Sequence, residues 1–309
     1  MVVKSERSYL IKKIFNTNPQ LCFSILASVT AVLCLFLFQG RVGINLADEG
    51  FLWYGAQRVL AGEIPFMDFQ SYDPGRYYWC ALFMGIFSDD GIISLRFSVA
   101  VFQAIGLAVG VYLVFSSCKK NTKAFVLFAL LILLLWMFPR HKLFDISLSI
   151  LLIGVLTHLV RKPTFWSYGL AGLFVGLTAT FGRNHGVYGI IGSVGVIAWL
   201  NVFPFRGKIL FKNITYWIIG VLVGFLPILF MMLFIPGFGI AFIDSVLQMF
   251  ELKATNISLP VPWPWKVGFS NLQVGNAIQE VLVGFFFIAI LVFGAVSIVW
   301  IFVIKARKK

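Results

Sequence analysis

The chain has 309 residues, of which 60% are hydrophobic and 17% aromatic, and its mean hydropathy is +0.93. These values lie far outside the composition of soluble domains and indicate a polytopic membrane protein. The net charge of +13 does not indicate a nucleic-acid partner, because the Lys and Arg residues form short clusters between apolar runs, as topology signals do.

Apolar runs define the predicted architecture. A helical span needs about 20 apolar residues. On that rule we predict a single all-α integral membrane domain over 1–309, with about eight transmembrane helices. The predicted spans are 21–39, 92–116, 124–138, 144–160, 166–181, 186–203, 214–235 and 278–304.

Basic clusters predict the orientation of these spans. One cluster precedes the first span, and the others follow the second, fourth, sixth and eighth spans. All five clusters then lie on one side, which the positive-inside rule makes cytoplasmic. Of the twelve acidic residues, only Glu6 falls on that side. We expect both termini, including a basic tail over 1–20, to be cytoplasmic in a cell membrane, with the bacterial inner membrane as the expected location.

The first predicted outer loop, residues 40–91, concentrates the scarce acidic residues and is predicted to be the catalytic loop. Ionisable groups near a membrane cost several kcal/mol unless they meet water, partners or a ligand. Glu49 to Leu60 is predicted to be a helix, with Asp48 at the N-cap position that Asp favours. The apolar run Arg76 to Phe87 is too short to cross a bilayer and is predicted to be an interfacial helix.

A second large outer loop is predicted over residues 236–277. The apolar spacing in Ile240 to Leu252 favours another interfacial helix. Alternating prolines follow it, and Trp263 and Trp265 suit the headgroup layer of a membrane.

Basic residues on the predicted outer side could hold a phosphate group. Two tight turns carry most of them, Arg140-His141-Lys142 and Arg183-Asn184-His185. Arg suits bidentate phosphate contact and Lys acts as a point charge; the alternative is that these residues are anchors that snorkel to lipid headgroups.

Arg96 is a separate basic residue in the first turns of the second predicted span. An unpaired charge there would be costly. Arg96 is therefore expected either to pair with Asp89 or Asp90 or to reach a phosphate, with the second slightly favoured.

The order of these features resembles the GT-C glycosyltransferases. The matching residues are DEGFLWYGAQRVLAGEIPF from Asp48, after the first span, and YDPGRYYW from Tyr72, before a short interfacial helix. The chain is most similar to the bacterial branch that includes protein O-mannosyltransferases and lipid A aminoarabinose transferases. Two departures are the Asp73-Pro74-Gly75-Arg76 segment, where many relatives carry Lys-Pro-Pro or Pro-Pro, and the smaller number of spans.

The resemblance implies inverting transfer of a sugar from a polyprenyl-phosphate-linked donor, with Asp48 as the catalytic residue that acts as the general base. Such transfer needs a carboxylate to accept a proton from the acceptor hydroxyl and cations to stabilise the departing phosphate. We predict Glu49 and Asp73 as supporting acids, and no metal and no cofactor. The predicted donor-phosphate-binding residues are Arg76, Arg96, Arg140, His141, Lys142, Arg183 and His185.

The expected partners are the lipid-linked donor, a lipid, glycan or protein acceptor, the surrounding membrane lipids and a possible partner subunit. A lipid-linked saccharide flippase or transporter is the alternative of a different class, as is a non-catalytic subunit of a glycosylation complex. Transporters usually place charges at the bilayer midplane, whereas here the charges collect at the outer ends of spans, which favours the enzyme.

Overall fold

A computed structural model describes residues 18–118, 123–137, 140–202, 207–251, 261–268 and 274–307. The basic tail up to residue 17 and the predicted basic clusters around 119–120 and 206 lie outside the described residues, as does the side chain of His141. Contacts divide the chain into two compact units, 1–245 and 246–309.

The described residues form eleven α-helices and two short 3-10 turns. The helices are α1 Pro19–Gln39, α2 Glu49–Leu60, α3 Pro74–Phe87, α4 Ile92–Ser117, α5 Lys123–Trp136, α6 Leu143–Arg161, α7 Phe165–Phe181, α8 Arg183–Val202, α9 Gly207–Phe234, α10 Phe238–Glu251 and α11 Val274–Arg307, and the turns are Arg140–Lys142 and Pro264–Lys266.

Five of these helices, α1, α4, α6, α9 and α11, are long and apolar enough to cross a membrane, so the chain is a multi-pass membrane protein. The prediction of about eight spans is not confirmed. Helices α5 and α7 have 14 and 17 residues, which at 1.5 Å per residue reach only about 21 and 26 Å, short of a hydrocarbon core about 30 Å thick. Helix α8 has 20 residues but is not among the five.

The short helices predicted in the two large loops are confirmed, with small changes in their bounds. Helix α2 begins and ends where the sequence predicts. Helix α3 begins earlier, at Pro74, because the fixed φ of proline and its missing N–H suit the first turn of a helix. Helix α3 ends at Ser88, which has a left-handed φ of 49°. Helix α10 covers Phe238–Glu251.

The capping prediction for Asp48 is only half right. Asp48 occupies the N-cap position of α2, but its carboxylate makes no capping hydrogen bond to the helix. Instead the carboxylate accepts a hydrogen bond from the side-chain amide of Asn45 at 2.9 Å.

The core of the first unit surrounds α4, which packs against α1, α3, α5 and α6. Leu107 and Val111 of α4 are fully buried, and Phe144 and Leu148 of α6 are at most 2% exposed. This core fixes the ends of α1, α4 and α6 beside one another, where the charged residues of the loops gather.

Helices α2 and α3 pack through a glycine. A Cβ on Gly55 would overlap the ring of Tyr77, which is fully buried. The Tyr77 hydroxyl accepts a hydrogen bond from the backbone N–H of Tyr72 at 2.9 Å. Asp48 and Asp73 immediately precede α2 and α3. The packing of the two helices therefore holds both acids within the same 40–91 segment.

Helices α7 and α9 approach one another through glycines on both sides. A Cβ on Gly172 or Gly176 would overlap the carbonyl oxygen of Trp217 or Val221, and Gly220 and Gly224 face α7 in the same way. Spacing of small residues by four positions is a common way for membrane helices to pack closely. The pair therefore depends on the absence of side chains at these positions.

We expect Gly176→Leu to separate α7 from α9 and to lower the free energy of unfolding by about 3 kcal/mol, since a backbone atom cannot move aside as a side chain can. The matched control is Gly195→Leu on α8, where a Cβ meets nothing within 4 Å; a change of at most about 0.5 kcal/mol is expected there. Unfolding by SDS in mixed micelles measures both. Equal losses would show that the close approach does not determine stability.

In the second unit, α11 packs against the Pro264–Lys266 turn. The rings of Trp263 and Trp265 beside this turn are stacked, with centroids 5.3 Å apart and planes at 8°. A Cβ on Gly284 of α11 would overlap the carbonyl oxygen of Pro262, so this glycine permits the close approach of the turn.

Candidate functional site

The structure gathers most of the predicted site residues into two neighbouring groups of charged side chains. The Glu49 cluster contains Glu49, Arg96 and Arg140. The Asp145 cluster contains Asp73, Arg76, Lys142, Asp145, Arg183 and His185.

The centre of the Glu49 cluster is a buried ion pair. Arg96 Nε and Nη2 each donate a hydrogen bond of 2.7 Å to the Glu49 carboxylate. Arg96 Nη1 also donates to the carbonyl oxygen of Gly40 at 2.8 Å, and Nη2 donates to that of Gly43. The side chains of Arg96 and Glu49 are only 5% and 6% exposed. The pair therefore holds the start of α2 and the 40–43 segment against α4.

The alternative that Arg96 pairs with Asp89 or Asp90 is wrong, whereas contact of Arg96 with a phosphate stays a prediction. The partner of Arg96 is Glu49 rather than Asp89 or Asp90. Asp89 instead accepts hydrogen bonds from the Ser94 hydroxyl at 2.5 Å and from the Gly91 N–H at 3.1 Å, and these bonds lower the pKa of the Asp89 carboxyl. Because all three guanidinium nitrogens of Arg96 already donate to protein oxygens, this side chain is a structural cation.

Arg140 is the more accessible cation of the Glu49 cluster. Its guanidinium donates to the carbonyl oxygens of Gln39 at 3.3 Å and Val42 at 2.9 Å, and its Nε lies 3.9 Å from Glu49 Oε1. The Arg140 side chain is 32% exposed. Arg140 therefore has contacts with both the 39–42 segment and the Glu49 carboxylate.

In the Asp145 cluster, three basic residues surround a carboxylate that the sequence analysis did not single out. Arg76 donates to Asp145, and its Nε donates to the carbonyl oxygen of Phe181 at 2.5 Å. His185 Nδ1 and Lys142 Nζ lie 3.6 and 4.0 Å from the Asp145 oxygens. Arg76 and His185 are thereby brought together as predicted, but around an acid and not around an open space.

Asp145 lies in the first turn of α6, inside a run that the sequence analysis treated only as a span. An ionisable residue within a membrane segment is by default a functional candidate. The signal that could have found it is this single acid three residues after the basic Arg140–Lys142 turn.

The same cluster contains the pair Asp73 and Arg183. Arg183 Nε lies 2.6 Å from Asp73 Oδ1, and the Arg183 backbone N–H donates to Asp73 Oδ2 at 3.0 Å. Arg183 Nη1 donates to the Ser245 hydroxyl at 2.7 Å. The guanidinium also lies over the rings of Phe66 and Phe242, 4.9 and 5.4 Å from their centroids. These contacts tie the first outer loop to the start of α8 and to α10.

Burial raises the pKa of the Asp73 carboxyl, with the charge and hydrogen bonds of Arg183 opposing the rise. A carboxyl with a raised pKa holds its proton more tightly in the folded chain than in the unfolded one. Its contribution to stability is therefore greatest below the ordinary carboxyl pKa of about 4 and falls as the pH rises towards the folded-state value.

We expect the free energy of unfolding of the wild type, relative to Asp73→Asn, to fall as the pH rises above about 4. Asp89→Asn is a control for which the opposite pH dependence of stability is expected. Because the pKa of Asp89 is lowered by hydrogen bonds, the wild type should gain stability relative to this variant as the pH rises towards about 4, with no further change above that pH. SDS unfolding at pH 2 to 7 measures both differences, and a relative gain for Asp73 above pH 4 would contradict the burial argument.

Asp48 is half-buried and lies at the start of α2, next along the chain from the locked Glu49. Helix α2, which begins at the next residue, contacts the Arg140–Lys142 turn. The Lys142 side chain is 57% exposed. Within the described part of the chain, no group of three or more His, Cys, Asp or Glu residues could hold a metal ion.

Comparison with known proteins does not identify a family for this chain. No family model, no curated protein and no solved structure matches it. Function is therefore inferred from the residues and their geometry.

Proposed function

We propose that the protein is an inverting membrane glycosyltransferase of the GT-C type. It moves a sugar from a polyprenyl-phosphate-linked donor to an acceptor hydroxyl on the extracytoplasmic face. The observation that carries the proposal is the unequal placement of two adjacent acids. Glu49 is buried in a pair with Arg96, whereas Asp48 is half-buried at the start of α2, the helix that contacts the Arg140–Lys142 turn.

In the proposed reaction Asp48 takes the proton from the acceptor hydroxyl as its oxygen bonds to the anomeric carbon of the donor sugar. The bond between that carbon and the phosphate oxygen breaks, and the phosphate leaves with the electron pair. A positioned base contributes about 10²- to 10⁴-fold to such a reaction, and fixed cations stabilise the charge that develops on the leaving group.

The proposal assigns different roles to the basic residues. Arg140 meets the phosphate, because its side chain is 32% exposed, and Lys142, which is 57% exposed on the same turn, adds positive charge beside it. Arg76, Arg96 and Arg183 already hold carboxylates or carbonyl oxygens. They keep the loop and the helix ends in place, and they contribute to phosphate binding only through this positioning.

In the proposed topology α5, α7 and α8 also cross the membrane, which gives eight spans with both termini cytoplasmic. A short helix can be accommodated by local thinning of the bilayer or by snorkelling of its flanking residues. This topology places the two charged clusters and Asp48 on the extracytoplasmic side of a cell membrane.

The proposal is tested with purified protein in nanodiscs, supplied with radiolabelled polyprenyl-phosphate sugars and a membrane extract as acceptor. Label is expected to move from the lipid to an acceptor. The same labelled lipids in proteoliposomes provide the contrast. Movement of intact lipid between leaflets without sugar transfer would contradict the enzyme and identify a flippase.

A further inference from the structure

A cavity of about 60 Å³ lies between α1, α2 and α4, directly below the charged end of the bundle. Arg96, Glu49 and Arg140 line one end of this cavity, and Gln103 and Val32 line it further along α4 and α1. A single water molecule needs about 10–15 Å³ of cavity volume. The cavity therefore has room for about four to six groups of the size of a water molecule, comparable with the five heavy atoms of a phosphate.

Gln103 is a polar side chain among the apolar residues that line this part of the cavity. Its side chain belongs to a membrane-spanning helix and is only 3% exposed, and its Nε2 has no hydrogen-bond partner among the described residues. Side chains on a helix lean towards its N-terminus, which in α4 is the end that carries Arg96. A buried amide donor without a partner costs about 1–3 kcal/mol, so a polar ligand in the cavity would relieve that cost.

An apolar groove of about 640 Å³ continues from the cavity along the surface between α1 and α4. Val32, Phe36 and Ala100 line both the cavity and the groove. Along α1 the groove runs from Phe36 to Leu21, a length of about 22 Å at 1.5 Å per residue. It thus follows most of the thickness of the hydrocarbon core.

Three alanines alternate with larger apolar side chains in the α4 wall of this groove. Ala100, Ala104 and Ala108 recur at intervals of four residues, on one face of the helix. At the far end Tyr112 lines the groove, and its hydroxyl lies 3.5 Å from the side-chain amide of Asn18. The groove is therefore a single trough with a polar cavity at one end and a tyrosine at the other.

We propose that the cavity and the groove together bind the carrier lipid, a single-chain polyprenyl phosphate, and so locate the donor for the proposed transferase on which this inference rests. The phosphate lies in the cavity between Gln103 Nε2 and the Arg140 guanidinium, and the prenyl chain lies in the groove. Arg96 already neutralises Glu49, and Arg140 is the more exposed of the two guanidinium groups that line the cavity.

The shape of the site favours this lipid over a membrane phospholipid. One trough between two helices in contact accommodates one chain, whereas a phospholipid has two. The phosphate group is common to the sugar-loaded donor and to the lipid that remains after transfer, so the same site serves both. The monoester form carries about −1.5 to −2 charges at neutral pH and can be used as the probe.

Photocrosslinking in nanodiscs tests the site with a diazirine-bearing polyprenyl monophosphate. The expected labels lie between Leu21 and Phe36 and between Phe97 and Tyr112. Val29→Trp fills the groove and should reduce labelling at least tenfold. Leu26→Trp is the matched control, because Leu26 is on the same helix and 64% exposed but does not line the groove; it should label as the wild type does.

Gln103→Leu separates a ligand role from a structural one. Because Nε2 lacks a partner in the described residues, its removal should leave the unfolding transition unchanged or move it to higher denaturant. Loss of a hydrogen bond to a charged phosphate should weaken binding of the unlabelled polyprenyl monophosphate about tenfold. Unchanged affinity would remove Gln103 from the site.

Competition between unlabelled lipids and the crosslinking probe identifies which lipid binds in the cavity and groove. Unlabelled polyprenyl monophosphate should compete fully, whereas the corresponding prenol and phosphatidic acid, a phosphomonoester with two chains, should compete at least tenfold less. Equal competition by phosphatidic acid, or labelling outside the groove, would overturn the inference even if sugar transfer is observed. Labelling in the groove by a wild type that transfers no sugar would retain the lipid site and reject the transferase.

Discussion

Replacement of Arg96 by leucine is expected to destabilise the protein by about 3–5 kcal/mol, because it leaves the Glu49 carboxylate buried without a partner. The pair is almost inaccessible, with both hydrogen bonds at 2.7 Å. The substitution also removes donors from the carbonyl oxygens of Gly40 and Gly43. SDS unfolding in mixed micelles measures the loss, and sugar transfer should fall with the folded fraction.

An exposed ion pair in the same loop provides the control. Arg58 and Glu63 also form a salt bridge, but their side chains are 35% and 29% exposed. Exposed pairs of this kind contribute about 0–1 kcal/mol, so Arg58→Leu should change little. A loss from Arg58→Leu equal to that from Arg96→Leu would show that burial does not decide the difference.

The double variant Glu49→Gln with Arg96→Leu separates two causes of the lost stability: the unpaired Glu49 charge and the lost hydrogen bonds to backbone carbonyl oxygens. Removing the unpaired carboxylate should recover part of the stability. The remainder reflects the carbonyl oxygen of the buried Gly40, since a buried acceptor without a donor costs about 1–3 kcal/mol. If the double variant is less stable than Arg96→Leu, the buried charge is not the source of the damage.

The sequence predicted well those features that depend on neighbouring residues. Helix α2 follows from its local start and stop signals, and the five long apolar helices follow from the length of their runs. An apolar run alone does not decide whether a helix continues for a full bilayer thickness. Helices α5 and α7 have 14 and 17 residues, so their crossing of the membrane stays a prediction.

The sequence predicted less well which charged residues meet. It selected Glu49 and Arg96 separately but not as partners, because 47 positions separate them and no local pattern joins them. It missed Asp145 because a single acid in a long apolar run hardly changes the hydropathy of that run. The basic residues were predicted to surround a phosphate, whereas in the structure three of the arginines pair with the protein's own carboxylates.

These ion pairs change what the loop can do. With Glu49 and Asp73 both held by arginines, their contribution to the proposed reaction is to fix the 40–43 segment and the starts of α2, α3 and α8. In the proposed reaction these two acids have a positioning role, and Asp48 is the acid assigned as the base.

Asp48→Asn is expected to lower the rate of sugar transfer by about 10²- to 10⁴-fold, the usual contribution of a general base. Asparagine keeps the shape and can still accept a hydrogen bond from Asn45, which contacts Asp48 Oδ2 at 2.9 Å. Folding stability and binding of the polyprenyl-phosphate sugar should therefore be unchanged. Single-turnover transfer and donor binding in nanodiscs measure the two effects separately.

Asp68→Asn is the matched control, since it makes the same chemical change in the same loop. Asp68 is exposed, and its carboxylate accepts a hydrogen bond from the Ile64 backbone N–H, which an asparagine oxygen can also accept. Transfer by this variant should equal that of the wild type. Normal transfer by Asp48→Asn would exclude Asp48 as the base and leave Asp73, whose raised pKa suits proton transfer but whose pairing with Arg183 would first have to open.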